Sequence, residues 1–379
     1  MLIWIIIVVC LGLAYGLLML FYIYGWFMVP SFNVTEIKEE LPFFSIIIPA
    51  RNEEKNIKTI LNDLSKLEYP ALKWEAIVVD DFSEDQTATI VSKFSHPNIS
   101  LLSLDKEVGT EKLNSYKKQA IALAITKSNG NWIITTDADC RLNKHWLQTI
   151  ASFIENEKPK MIAAPVMFEN EQTGFEKMQS LDFSGLIGIT ASSMQLGFPT
   201  MCNGANLAFE KKVFYEVGGY TGVEKIASGD DLFLMHKVFK KYPKAVRFLK
   251  STESLVTTFA IPDIKTFFHQ RTRWTSKSTH YTDKRITAIL MMAYFFNLTL
   301  LVNVLFMFQN YWMMELFVFQ FAFKLITEFV LINEVTTFFN KKKLMWWFLP
   351  AQLFHVFYVI IIGISGLTAT YKWKNRTVK

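Results

Sequence analysis

The run Ile133-Ile134-Thr135-Thr136-Asp137-Ala138-Asp139-Cys140 carries β-branched residues into two carboxylates separated by one small residue. A run of that type stays extended and buried. Alternation then turns Asp137 and Asp139 to one side, where the strand runs out. Two like charges at the mouth of a sheet repel unless a cation sits between them, and hard oxygen ligands suit Mg2+ or Mn2+. Such an ion keeps several waters and completes its shell with phosphate oxygens, so the chemistry in view is that of a diphosphate. A bare Asp-x-Asp also ends many solvated turns. The pair therefore gains meaning only from the elements around it.

Residues 45–49 read as a short buried strand stopped by Pro49. Asn52 is placed to cap, and Glu53-Glu54 to open, an amphipathic helix. Residues 75–79 form a second strand that ends at Asp80-Asp81-Phe82-Ser83, with Ser83 or Asp85 as the cap of the next helix. A third strand is expected at 101–104, a helix at 116–126, and the carboxylate-bearing strand at 132–136. This alternation predicts an α/β domain around a mostly parallel sheet. In such sheets ligands bind beyond the carboxyl ends of the strands. Polar or acidic residues stand at three of these ends: Asn52 and Glu53, then Asp81, then Asp137 and Asp139.

The 379 residues are 51% hydrophobic with a net charge of +6, which excludes an ordinary soluble composition. Residues 1–29 are almost uncharged and long enough to cross a hydrocarbon core. They lack the basic start and small-residue cleavage site of a signal peptide, so they are expected to remain as an anchor. A globular domain is expected at 41–260, an amphipathic interfacial segment at 261–283, and a membrane region of about three helices at 286–370. The last region holds apolar stretches at 286–308, 311–332 and 344–367. Lys341-Lys342-Lys343 and the tail Lys372, Lys374, Arg376 and Lys379 flank these stretches. Basic clusters there mark a cytoplasmic face and anionic lipid, not nucleic acid. If 344–367 spans, the two clusters fall on opposite sides, and the topology stays open. Cys10, Cys140 and Cys202 have neither a disulfide pattern nor zinc-ligand spacing.

The ordered pieces Ile48-Pro49-Ala50-Arg51-Asn52-Glu53, Val79-Asp80-Asp81-Phe82-Ser83, Asp137-Ala138-Asp139, Gly204-Ala205-Asn206, Ser228-Gly229-Asp230-Asp231 and Gln270-Arg271-Thr272-Arg273-Trp274 resemble the nucleotide-sugar glycosyltransferases of family 2. The last piece is similar to the Gln-x-x-Arg-Trp signature of membrane-embedded synthases and ceramide-glucosyltransferase-like enzymes. The resemblance implies a GT-A fold, a nucleotide-sugar donor, and inverting transfer that depends on Mg2+ or Mn2+. Two positions depart from the pattern: Phe82 stands where the family often has Gly, and Asp230 replaces the usual Glu.

The resemblance implies that Pro49, Ala50, Glu53 and Asp81 surround the nucleoside. A carboxylate there can accept the imide N–H of uracil, so a UDP-sugar is expected. Asp81 as a helix cap is the competing reading. Lys118, with Lys117 beside it, is placed to reach the diphosphate, against an ordinary solvated helix face. Asp139 is taken as the main metal ligand, with Asp137 on the ribose or a metal-bound water. Asp231 is the expected base, taking the proton of an acceptor hydroxyl, with burial and Asp230 beside it raising its basicity. Two first-turn carboxylates complementing a helix dipole explain Asp230 equally well. Gln270 and Arg273 are expected on the pyrophosphate and Trp274 under the acceptor, with Arg271 as a lipid or phosphate auxiliary. The same stretch also reads as an interfacial helix. Asn206 and Asp230 are assigned to the acceptor side, and a turn residue beside glycine competes for Asn206.

The resulting expectation is a bacterial inner-membrane enzyme whose cytoplasmic site glycosylates a lipid or lipid-linked saccharide. A processive polysaccharide synthase is the alternative within that class, and it would need more helices to enclose a pore. A nucleotidyl- or phosphotransferase would use the paired aspartates but gives no reason for Asp231 or the Gln270–Trp274 piece. A non-catalytic nucleotide-binding membrane protein is the third class.

Overall fold

A computed structural model describes residues 1–38, 40–108, 115–368, 371–373 and 376–378. Lys374 and Lys379 of the expected basic tail lie outside the described residues. In chain order the elements are α1 (Leu2–Met28), β1 (Phe44–Ala50), α2 (Ile57–Leu64), β2 (Trp74–Asp80), α3 (Thr87–Lys93), β3 (Ile99–Ser103), α4 (Leu104–Val108) and α5 (Tyr116–Lys127). They continue with β4 (Trp132–Thr135), β5 (Arg141–Leu142), α6 (Trp146–Glu157), β6 (Met161–Ala163), β7 (Val166–Glu169), α7 (Gly174–Gln195), β8 (Leu207–Glu210) and α8 (Lys211–Glu216). The last are α9 (Asp230–Lys241), β9 (Val246–Phe248), β10 (Val256–Phe259), α10 (Ile264–Ser276), α11 (Lys284–Phe306), α12 (Tyr311–Phe338), α13 (Phe348–Thr368), β11 (Tyr371–Trp373) and β12 (Arg376–Val378). The chain divides into two units: residues 29–170 with 194–259 and 372–379, and residues 1–28 with 171–193 and 260–371.

The first unit is built on a seven-stranded sheet of order β3-β2-β1-β4-β8-β6-β9. β1 pairs in parallel with both β2 and β4, and β2 with β3. β8 runs antiparallel to β4 and β6, while β9 is parallel to β6. The expected mostly parallel sheet is therefore present. Ile46, Ile47 and Ile48 of β1 are fully buried, as a continuous apolar run must be in a strand covered on both faces. α5 buries Ala120, Ile121, Ala124 and Ile125, one face of a 3.6-residue period. The direction of strand order reverses between β1 and β4. That reversal opens a crevice at their carboxyl ends.

The second unit is helical. α1, α11 and the segment Lys342–Gly366, which includes most of α13, are long and apolar enough to cross a membrane. The expected fourth span does not reach that standard. α12 is a 28-residue helix, but it carries Glu315, Lys324, Glu328 and Glu334. Lys324 is fully buried and paired with Glu328. Gln352 accepts from Lys324 at 2.6 Å and donates to Glu328 at 2.6 Å, and Tyr15 also donates to Glu328. A second chain runs from Trp4 through Asn303 to Gln320. Such hydrogen bonds tie helices together where apolar packing alone gives little preference. Lys341, expected at a lipid surface, instead pairs with Glu171 at 2.6 Å. That pair holds the Glu171 carboxyl below its usual range: burial opposes the shift and the Lys341 and Ser180 hydrogen bonds outweigh it.

Candidate active site

The loops after β1 and β2 are stitched to one another. The Asn52 N–H donates to Ser83 Oγ at 3.1 Å, and Asn52 Oδ1 accepts from the Glu84 N–H at 2.9 Å. The Glu53 N–H reaches Thr87 Oγ1 at 2.7 Å, and the Glu54 N–H reaches Asp85 Oδ2 at 3.1 Å. Asn52 is thus not the helix cap expected of it. Its φ is 51°, a left-handed conformation that Asn tolerates better than most residues, and α2 begins only at Ile57. Asp85 does satisfy the first N–H of α3, from Thr87 at 3.0 Å. Arg51 is buried and donates to the carbonyls of Asp81 and Phe82 and to Glu84.

Four residues expected around the nucleoside meet at this stitched edge. Pro49 and Ala50 end β1 opposite Val79 and Asp80. Glu53 is buried and accepts from Asn56 Nδ2 at 2.8 Å. Asp81 is 2% exposed, and its N–H donates to Ala50 O. Phe82 has φ 53°, which explains why glycine suits that position. Its ring meets Tyr116 edge-on, with centroids 5.9 Å apart.

β4 stops at Thr135, two residues short of Asp137. The carboxylates are aimed by a turn, closed by the Cys140 N–H on Asp137 O at 3.1 Å, and not by strand alternation. Ala138 and Cys140 are buried while Asp137 and Asp139 are partly exposed, so both acids still share the accessible side. Burial and the charges of Asp139 and Asp137 push the Cys140 thiol well above its ordinary range.

Lys117, at the start of α5, holds this cluster together. Its Nζ lies 2.7 Å from Asp137 Oδ1 and 3.8 Å from Asp230 Oδ2. Burial pushes the Lys117 pKa down, but the charges of Asp137, then Asp230 and Asp231, raise it above the ordinary lysine value. Asp230 and Asp231 open α9 behind Gly229, whose φ of 80° suits glycine. Asp231 Oδ2 accepts the Gly204 N–H at 3.1 Å, and Thr135 Oγ1 donates to Gly204 O at 2.7 Å. One residue, Gly204, thus links the end of β4 to the start of α9. A Cβ at Gly204 would lie 3.3 Å from Asp230 Oδ2. The sequence quotes this glycine within a motif but gives it no role. Tyr220 was also missed: burial, Asp230 and Asp231 push its phenol well above its ordinary value.

Two sequence assignments change. Lys118, expected at the diphosphate, is turned to backbone carbonyls. It is 3% exposed, and its ammonium donates to the carbonyls of Val223, Ile226 and Ser228. Its three protons hold the loop that leads into α9, while Lys117 pairs with Asp137 and Asp230. Asn206 does not face an acceptor surface. It is 1% exposed, donates at 2.8 Å to Pro165 O and Ser254 O, and accepts from Trp146 Nε1 at 3.0 Å.

No group of three His, Cys, Asp or Glu side chains among the described residues forms a closed metal cage. The donor set is two carboxylates, one of which already holds an ammonium cation. That set fits a hard divalent ion bound by one or two carboxylates and completed by water and substrate phosphates.

Gln270, Arg273 and Trp274 lie on α10, in the helical unit. Asp263 caps this helix by accepting the Thr266 N–H at 2.8 Å. Arg271 is 4% exposed and pairs with Asp182 at 2.7 Å, so it is neither a lipid nor a phosphate auxiliary in this structure.

The sequence profile of Glycosyl transferase family 2 matches residues 45–218, and that of Glycosyl transferase family group 2 matches residues 132–361. Glycosyltransferase AglE of Haloferax volcanii is 32% identical over 144 residues, 37% of this chain and 45% of that one. A beta-monoglucosyldiacylglycerol synthase of Nostoc sp. is 26% identical over 250 residues, 65% of this chain and 51% of that one. The chain thus spans about half the length of these curated relatives. In fold it is similar to mannosyltransferase PcManGT of Pyrobaculum calidifontis, solved in complex with GDP-Man and Mn2+. That likeness has a TM-score of 0.58 at 16% identity and covers 95% of this chain and 97% of the other.

Proposed function

This chain belongs to the glycosyl transferase family group 2, and from that premise we propose that it moves a sugar from a nucleoside-diphosphate sugar to a hydroxyl of a lipid or lipid-linked saccharide. It is an enzyme of the glycosyltransferase type. The observation that carries the finer reading is the bridge formed by Lys117. One ammonium joins Asp137, the acid proposed for the diphosphate side, to Asp230, beside the proposed base.

In this reading Pro49, Ala50, Glu53 and Asp81 surround the nucleoside of a UDP-sugar, and Asp81 accepts the base's ring N–H. Lys117 neutralises charge on the diphosphate. Asp231 is held by the Gly204 N–H and takes the proton of the acceptor hydroxyl as its oxygen bonds to the anomeric carbon. The bond from that carbon to the diphosphate oxygen breaks on the opposite face, so the product has inverted configuration and the nucleoside diphosphate leaves with the electron pair. Asp139, with Asp137, would hold Mg2+ or Mn2+, which when bound offsets charge on the leaving diphosphate. The family resemblance assigns Gln270 and Arg273 to pyrophosphate oxygens and Trp274 to the acceptor. The three long apolar helices and the similarity to a beta-monoglucosyldiacylglycerol synthase support a membrane location, and the basic clusters beside those helices favour a site on the cytoplasmic side.

The test incubates the purified chain with a panel of UDP- and GDP-sugars and Mn2+ or Mg2+, following slow hydrolysis. Metal-dependent release of nucleoside diphosphate from one donor is expected. Release of pyrophosphate would make it a nucleotidyltransferase, and metal-independent binding with no hydrolysis would remove the catalytic reading.

A further inference from the structure

α10 places Phe267, Arg271 and Trp274 at positions i−4, i and i+3, which share one helix face. The Arg271 guanidinium carbon lies 5.0 Å from the Phe267 ring centre and 4.4 Å from that of Trp274, so the cation touches rings above and below it on its own helix. Its charge is met from another element. Asp182, on α7, stands 2.7 Å from Arg271 Nη2. Tyr358, on α13, donates to the other Asp182 oxygen, and His355 Nε2 lies 3.9 Å from that oxygen. The Tyr358 ring also packs edge-on against Phe267 at 5.4 Å, and Phe183, the neighbour of Asp182, lies 6.2 Å from Trp274. α7, α10 and α13 therefore meet at one charge pair, with Arg271 buried and Asp182 14% exposed, and Trp274 and Phe267 are the rings packed on its cation.

A buried guanidinium without its carboxylate is strongly unfavourable, so the pair must form for the helix face to dock at all. The planar cation also orients what stacks on it, which a flexible ammonium does poorly. We propose that Asp182 and Arg271 are positioning residues that fix Trp274 for the acceptor, with Tyr358 orienting the Asp182 carboxylate. This rests on the reading of Trp274 as the acceptor platform. Arg271 and Asp182 touch neither donor nor acceptor. They act through the indole.

The test compares the full chain in detergent with Asp182→Asn, Arg271→Lys and the double variant. Hydrogen exchange of the amides at 270–276 is read without substrate. Transfer is read with UDP-glucose, Mn2+ and dispersed diacylglycerol, alongside hydrolysis of UDP-glucose without acceptor. For Asp182→Asn the expected results are about tenfold faster exchange at 270–276 with α12 unchanged, and an acceptor KM raised about tenfold. Hydrolysis without acceptor stays as in the parent chain. Arg271→Lys keeps the charge and should fall between parent and Asp182→Asn. The double variant should be no worse than the worse single one, because both remove the same coupling. Unchanged exchange, losses that simply add, or a parallel fall of hydrolysis, kcat and affinity overturns the proposal. If the parent chain hydrolyses no nucleotide sugar, the sugar-transfer reading fails, while the exchange comparison still decides whether the pair holds the segment.

Discussion

Replacing Lys118 with Met keeps most of the buried stem and removes one ammonium. That ammonium donates to Val223 O at 3.0 Å, to Ser228 O at 2.9 Å and to Ile226 O. Ser228 is buried, and the other two residues are partly exposed. A buried acceptor left without its donor costs about 1–3 kcal/mol, and hydrogen bonds to a charged group stand at the upper part of the range. Val223 and Ile226 can turn toward water and recover part of that loss. The sum is about 3 kcal/mol, which for a unit of this size lowers the melting temperature by roughly 6–12 °C. The loop that loosens leads directly into Asp230 and Asp231, so transfer should fall while the β1 and β2 loops keep their own ties. The assay pairs thermal unfolding of the purified chain with calorimetric titration of the donor. The reasoning predicts a large loss of stability with donor affinity within about threefold of the parent. A variant as stable as the parent that binds donor tenfold more weakly would return Lys118 to the diphosphate and refute the account.

Other substitutions separate structural from chemical roles. Asn206→Ala removes three buried hydrogen bonds. It should cost about 3 kcal/mol of stability, seen in thermal unfolding, with the KM for donor and acceptor unchanged below the new melting range. Lys117→Met should weaken donor binding with little effect on acceptor KM, measured by calorimetry and steady-state kinetics. Its pH signature follows from the raised Lys117 pKa. Stability from a raised lysine is fully present below the unfolded value of about 10.4 and is lost as pH climbs through the folded value. The melting gap between parent and Lys117→Met should therefore be flat from neutral pH to about 10 and close above it.

Three strands of the sheet were legible because buried parallel strands read as near-continuous apolar runs, and residues 45–49, 75–79 and 132–136 each hold a core of consecutive β-branched residues. α9 was legible from its first turn, where Asp230 and Asp231 mark a helix start, and α10 from the amphipathic pattern of 261–283. Adjacent lysines were not legible. Lys117 and Lys118 sit about 100° apart on one helix, and only the loop packed against α5 decides which meets acids and which meets carbonyls. Asn52 looked like a cap because the sequence does not reveal that its φ is positive. The 311–332 stretch looked like a span because apolar composition hides a buried ion pair that needs Tyr15 and Gln352 from other helices. Arg271 looked like a surface cation because its partner, Asp182, lies 89 residues earlier. In each case the local pattern was sound and a distant element chose the outcome.

The central claim is that Asp231 removes the acceptor proton in a nucleotide-sugar transfer. The most direct measurement compares turnover and donor affinity of the parent chain and Asp231→Asn, which keeps the shape and can still accept the Gly204 N–H. Loss of a general base lowers turnover by about 10²–10⁴-fold, so the account predicts a fall of that size with the donor dissociation constant within about threefold of the parent. Turnover near that of the parent, with donor bound equally well, would contradict it.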